Sequence, residues 1–131
     1  MNVSLLLCIG LASLLAAGCS STKSAPAGGP GVEVKYQGMD PGVQYSVEPV
    51  GFVEARLPDG RLQVGCQLRN KENRRIQVQV QCVFKDGQGF STGDETPWEN
   101  LILTENATET VRFTSMNNLA ASYQVRVRQA R

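Results

Sequence analysis

Histidine is absent from the 131 residues of this chain. With it go the commonest general base, the usual nucleophile triads and most zinc sites. An excess of one sign of charge is lacking too. The 13 Lys and Arg stand against 12 Asp and Glu, without the concentrated basic surplus that nucleic-acid binding requires. No apolar run reaches the roughly 20 residues that a permanent bilayer-spanning helix needs. Aromatic residues are few, and Trp98 is the single tryptophan. Cysteine occurs only at Cys8, Cys19, Cys66 and Cys82, and the context of each decides what it can do.

The first 18 residues contain no Asp, Glu, Lys or Arg, and Leu5 to Leu15 form an apolar core of signal-peptide length. Small residues then lead to a cysteine in Leu15-Ala16-Ala17-Gly18-Cys19-Ser20-Ser21, which resembles the bacterial lipobox. That resemblance implies cleavage between Gly18 and Cys19, diacylglycerol on the Cys19 thiol and acylation of the new amino terminus. Ala16 stands where the motif more often has Leu, and the other reading is an ordinary secretory signal with an incidental cysteine. Ser20, rather than Asp, after the cysteine resembles the outer-membrane sorting pattern of diderm bacteria. The expected location is the outer membrane, lipid-anchored and facing the periplasm.

Three segments follow: residues 1–18 as signal peptide, 19–31 as lipidated cysteine and linker, and 32–131 as the folded domain. Ser20 to Gly31 is small, polar and rich in Gly and Pro, too poor in apolar surface to fold. As a flexible tether it would reach on the order of 20 Å.

Beyond the tether the dominant signal is alternation with a period of two, the mark of a strand with one buried face. Leu62, Val64, Cys66 and Leu68 alternate with polar or small residues, as do Ile76, Val78, Val80, Cys82 and Phe84. Val111 and Phe113, then Tyr123, Val125 and Val127, repeat the pattern. Weaker strands cover Glu33 to Gln37, Gly51 to Leu57 and Trp98 to Leu103. Turn residues fall between them at Pro58-Asp59-Gly60, Asn70 to Arg75, Lys85-Asp86-Gly87, Ser91-Thr92-Gly93-Asp94 and Asn117-Asn118. Met116 to Ala121 could hold one helical turn. About seven short strands in a hundred residues predict an all-β fold, an immunoglobulin-like β-sandwich.

Cys66 and Cys82 are the cysteines left to the folded domain, both on the inward phase of their strands, in an oxidising compartment if the chain is exported. If the two strands form a hairpin over Asn73-Arg74-Arg75, Cys66 lies directly opposite Cys82, within disulfide reach. If they arch between two sheets, the sulfurs could meet across the core, as in antibody domains. A disulfide between Cys66 and Cys82 is one expectation, and a pair of buried free thiols is the other.

Phe84-Lys85-Asp86-Gly87-Gln88-Gly89, followed by Pro97-Trp98 and Leu101-Ile102-Leu103, joins Arg69-Asn70, Thr108 to Phe113 and Ala120 to Arg128 in one order. Over Gly51 to Arg128 this resembles the YcfL-like family of small periplasmic lipoproteins, a domain family of unknown function. The resemblance implies an immunoglobulin-like sandwich and a lipid anchor, and supplies no catalytic residues. Some relatives are encoded near a lipoprotein activator of peptidoglycan synthases, which implies a role in the cell envelope.

Among surface residues, Trp98 with Tyr36, Tyr45 and Tyr123 could form a sugar-stacking platform or simply anchor packing. Arg112, Arg126 and Arg128 take the outward phase of two strands, and Arg69, Lys71, Arg74 and Arg75 cluster at one turn. They could meet an acidic partner, or be ordinary solvated charges. Asp94, Glu95 and Glu99 are the densest carboxylates, and nothing in the pattern sets two of them across a cleft. Asn106-Ala107-Thr108 most simply marks a turn. The expectation is a non-catalytic module without cofactor or metal, which docks on an envelope protein through Trp98, Arg112, Arg126 and Arg128. The alternatives are a peptidoglycan- or lipopolysaccharide-binding module and a lipoprotein subunit of a secretion machine.

Overall fold

The computed structural model describes residues 34–131. The signal peptide, Gly18, Cys19 and the tether therefore lie outside the described residues. Within them the chain forms eight strands and one short helix: β1 (Tyr36–Gly38), α1 (Pro41–Ser46), β2 (Val47–Arg56), β3 (Leu62–Asn70), β4 (Ile76–Lys85), β5 (Ser91–Glu95), β6 (Glu99–Leu103), β7 (Thr108–Thr114) and β8 (Ser122–Gln129). A five-stranded sheet runs β1-β8-β4-β5, with β6 also on β4, and a three-stranded sheet runs β2-β3-β7.

The alternation seen in the sequence becomes the inner faces of these sheets. Val64, Cys66 and Leu68 of β3 are fully buried against a layer that includes Val80, Cys82 and Phe84 of β4 and Val125 and Val127 of β8. Each large apolar side chain removed from water here contributes about 1.5 to 3 kcal/mol before the entropy of ordering it is subtracted. Outward positions of the same strands carry Gln, Arg and Gly, so the strand phase is dictated by one buried face.

The chain crosses between sheets after β1, by way of α1, and again after β3, after β6 and after β7. In the strand order of immunoglobulin constant-type domains, β2, β3 and β7 stand where A, B and E do, and β4 and β8 where C and F do. The short β1 lies beside β8 and parallel to it, on the side where strand G would lie.

This topology corrects the hairpin reading. β3 and β4 are in different sheets, so Cys66 is flanked by Phe52 and Val111, and Cys82 by Val125. The physical reason sits at the corner. Asn70, 0% exposed, donates from Nδ2 to the carbonyls of Arg74 (2.7 Å), Thr104 (2.9 Å) and Leu103 (3.3 Å) and accepts from Glu72 N at 2.9 Å. Those bonds satisfy the backbone of an arch that turns from one sheet to the other. The antibody-type disulfide would join the strands in the B and F places, whereas Cys82 lies on the strand in the C place. Both cysteines are buried in the core and unbonded in this structure.

Four further segments differ from expectation. Ser91 to Asp94 is the start of β5 rather than a turn, paired to β4 across a bulge. Met116 to Ala121 is irregular, closed by Asn117 Oδ1 accepting from Leu119 N at 3.0 Å. The helix is instead α1, with Pro41 at its first position, where the missing N–H is harmless. β2 begins earlier than expected and accommodates Pro49 because it is an edge strand with an irregularity between Pro49 and Gly51.

Candidate binding surface

β4 has β8 on one side and β6 and β5 on the other, so its outward side chains sit in rows that cross three strands. Gln79 is the centre of one row, with Arg128 beside it on β8 and Asn100 on β6. Its Oε1 accepts from Arg128 Nε at 2.9 Å and its Nε2 donates to Asn100 Oδ1 at 3.1 Å. Trp98, between β5 and β6, lies against the guanidinium of Arg128, 4.0 Å from ring centroid to guanidinium carbon. The ring quadrupole attracts that cation, so ring, guanidinium and two amides hold one another in place.

A second row passes through Gln81, paired with Arg126, which pairs in turn with Gln37 of β1. Gln81 is buried and donates from Nε2 to the Thr96 carbonyl at 3.1 Å, while Thr96 Oγ1 accepts from Cys82 N at 2.9 Å. These bonds pin the segment ahead of Trp98 to β4. Arg126 Nε is buried with no hydrogen-bond partner among the described residues. A buried donor left unmade is unfavourable.

The structure therefore joins Trp98, Arg126 and Arg128 on one face, and it separates Arg112 from them. Arg112 lies on β7, opposite Gly65, and lines a shallow concavity of about 340 Å³ on the outer face of the three-stranded sheet with Val53, Gln63 and Gln67. Stacked sheets are about 10 Å apart, so the full thickness of the sandwich intervenes. The expectation of a single surface is corrected to that extent. Gln79, Gln81 and Asn100, which the face depends on, were legible in the sequence only as the polar phase of a strand.

The tyrosines do not gather around Trp98. Tyr123 is buried in the core, its ring 6.0 Å from that of Phe52, and burial, followed by the nearby Glu54 carboxylate, raises its phenol above the ordinary value. Tyr36 is half-buried, its phenol pushed up to about 12 by burial. Tyr45 is exposed on α1 near Lys71, whose Nζ is 5.8 Å from the ring centroid.

Much of the basic cluster at the β3–β4 arch is internally engaged. Arg74 pairs with Glu72, which also accepts from Ser46, and Arg69 lies 3.7 Å from Glu48. Asp94, on β5, is buried and accepts from Met116 N at 2.6 Å, a structural tie between that strand and the β7–β8 loop. Among the described residues no group of three or more Cys, Asp or Glu is placed to hold a metal ion. Asn106 has a φ of 54° and bonds Asn73 at 2.7 Å, a turn conformation that Asn tolerates.

Fold and surface together define a small all-β sandwich with a preorganised polar face. Residues 44–129 match the family model described as a protein of unknown function (DUF1425), and the chain belongs to that family. A DUF1425 family member from Shewanella sp. pv-4 superposes with a TM-score of 0.58 at 22% identity, over 65% of this chain and 79% of that one. The crystal structure of Campylobacter jejuni cj0090 superposes with a TM-score of 0.54 at 13% identity, over 63% of this chain and 85% of that one. At these identities the likeness is one of fold. Among curated proteins, none matches the chain.

Proposed function

We propose that this protein is a YcfL-like lipoprotein of the outer membrane, a non-catalytic module that docks on another envelope protein through the Trp98 face. The observation that carries the reading is the row Trp98–Arg128–Gln79–Asn100, whose side chains are already ordered by one another. Preordered side chains lose little entropy on binding, and Trp and Arg are the residue types that dominate interface energetics. The half-exposed Arg126, beside Gln81 on the same sheet, adds a second guanidinium that suits a partner offering carboxylate or carbonyl oxygens. The lipobox-like sequence ending in Cys19 supports the membrane location, and the lack of histidine supports a role without catalysis.

A peptidoglycan- or lipopolysaccharide-binding module is the second reading, favoured by the amide and guanidinium groups of the same face. It is weakened because Arg128 already occupies one side of the Trp98 ring, where a sugar would stack. Crosslinking in intact cells followed by purification separates the readings. The docking reading expects one protein recovered with the native chain and reduced at least about tenfold with Trp98→Ala/Arg128→Ala, a loss of about 1.4 kcal/mol. Arg112→Ala should leave recovery unchanged. Co-sedimentation with purified sacculi and no crosslinked protein would overturn docking in favour of glycan binding.

A further inference from the structure

At one end of the sandwich the loops carry large apolar side chains into solvent. Met116 is 84% exposed, Phe90 67% and Leu119 63%. The β4–β5 and β7–β8 loops that bear them are adjacent, since Ala121 N donates to Lys85 O at 2.8 Å and Met116 N to Asp94 Oδ2 at 2.6 Å. Two of their polar side chains are turned back on their own backbone. Asp86 Oδ1 accepts from Gln88 N and Phe90 N, and Asn117 Oδ1 accepts from Leu119 N. What these loops present outward therefore includes three large apolar groups, a combination that marks an interaction site.

The described chain also begins at this end. β1 runs parallel to β8, with Tyr36 beside Val125 and Val125 N donating to Lys35 O at 2.8 Å. β8 starts at Ser122, beside Lys85 and next to the apolar loops. Val34, the first described residue, consequently lies toward the Phe90, Met116 and Leu119 end of the sheet. Only 14 residues separate Cys19 from Val34, a reach of about 20 Å for a chain of that composition. A ten-residue strand such as β4 spans about 33 Å, so the tether is shorter than the domain is tall.

We infer that this loop end is a second, non-covalent membrane contact, in which Phe90, Met116 and Leu119 enter the headgroup boundary of the lipid layer that holds the Cys19 anchor. The inference rests on the lipid-anchored reading above. Charges at this end are of mixed sign, with Asp59 paired to Arg61, so apolar insertion rather than anionic lipid drives the contact. Anchoring at one point leaves the domain free to rotate, and the short tether keeps these loops at high effective concentration near the bilayer. Seating them turns the Trp98 face to the side, parallel to the membrane normal and open to a partner.

The test uses the full lipidated chain in vesicles of phosphatidylethanolamine and phosphatidylglycerol that carry acyl-brominated lipid. Phe90→Trp and Leu119→Trp are compared with Tyr45→Trp on α1, after subtraction of the Trp98 signal. Tryptophan at 90 or 119 should be quenched at least about threefold more than at 45, as for side chains at the acyl boundary. Mass spectrometry of the same preparation reads the lipid on Cys19. Lipid present with equal quenching at all three positions overturns the membrane contact alone, whereas an unlipidated Cys19 overturns the anchored reading and the contact with it.

Discussion

At the residue scale, burial sets the chemistry of the two thiols. Burial pushes Cys66 up to about 12, and burial, then Asp94 and Cys66, pushes Cys82 to about 12. The folded state thus favours the protonated thiol more than the unfolded state does. That contribution to stability is fully present below the ordinary thiol value near 9 and is lost as pH rises from there toward 12. Urea midpoints measured from pH 8 to 11 should fall, and Cys66→Ala/Cys82→Ala should flatten the fall. At pH 8 a thiol reagent should leave the native protein unlabelled and count two thiols after unfolding. A count of zero would mean that the sulfurs are joined across the core. The sequence placed both cysteines on inward phases, but it did not reveal that they belong to different sheets.

At the scale of elements, the β3–β4 arch shows how one side chain can choose a connection. Alternation alone is compatible with a hairpin or an arch, because both bury the same residues of each strand. Asn70 decides it by bonding backbone groups on both sides of the corner. Asn70→Ala strands several of these buried groups and should lower stability by about 2 to 4 kcal/mol, read from urea unfolding with unchanged slope. β5 was illegible for a related reason: Ser-Thr-Gly-Asp has turn chemistry, and only its pairing beside Val83 and Lys85 makes it a strand. α1 is six residues long, too short to display a helical period.

For the molecule as a whole, the arrangement is a sandwich with two unlike outer faces. One bears the ordered Trp98 row, and the other bears Arg112 above Gly65. The proposed lipid anchor would raise the effective concentration of an envelope partner without changing intrinsic affinity. Cys19→Ser, expressed from the full gene, should move the protein from the outer-membrane fraction to the soluble periplasmic fraction, checked by fractionation and immunoblotting. Retention in the membrane fraction would show that the anchor is not this cysteine. Recovery of the crosslinked partner should fall with the same substitution even though the Trp98 face is intact.

Sequence alone determined the all-β class, the inward phase of the principal strands and the exclusion of histidine chemistry, because each is carried by composition or by neighbours two residues apart. Tertiary structure decided which strand pairs with which, that Gln79 orders Arg128 and Asn100, that Arg112 stands apart from Arg126 and Arg128, and that Phe90, Met116 and Leu119 share one end. These depend on contacts between residues tens of positions apart, whose choice among partners of equal periodicity is made by corner hydrogen bonds and the packing of one sheet on the other.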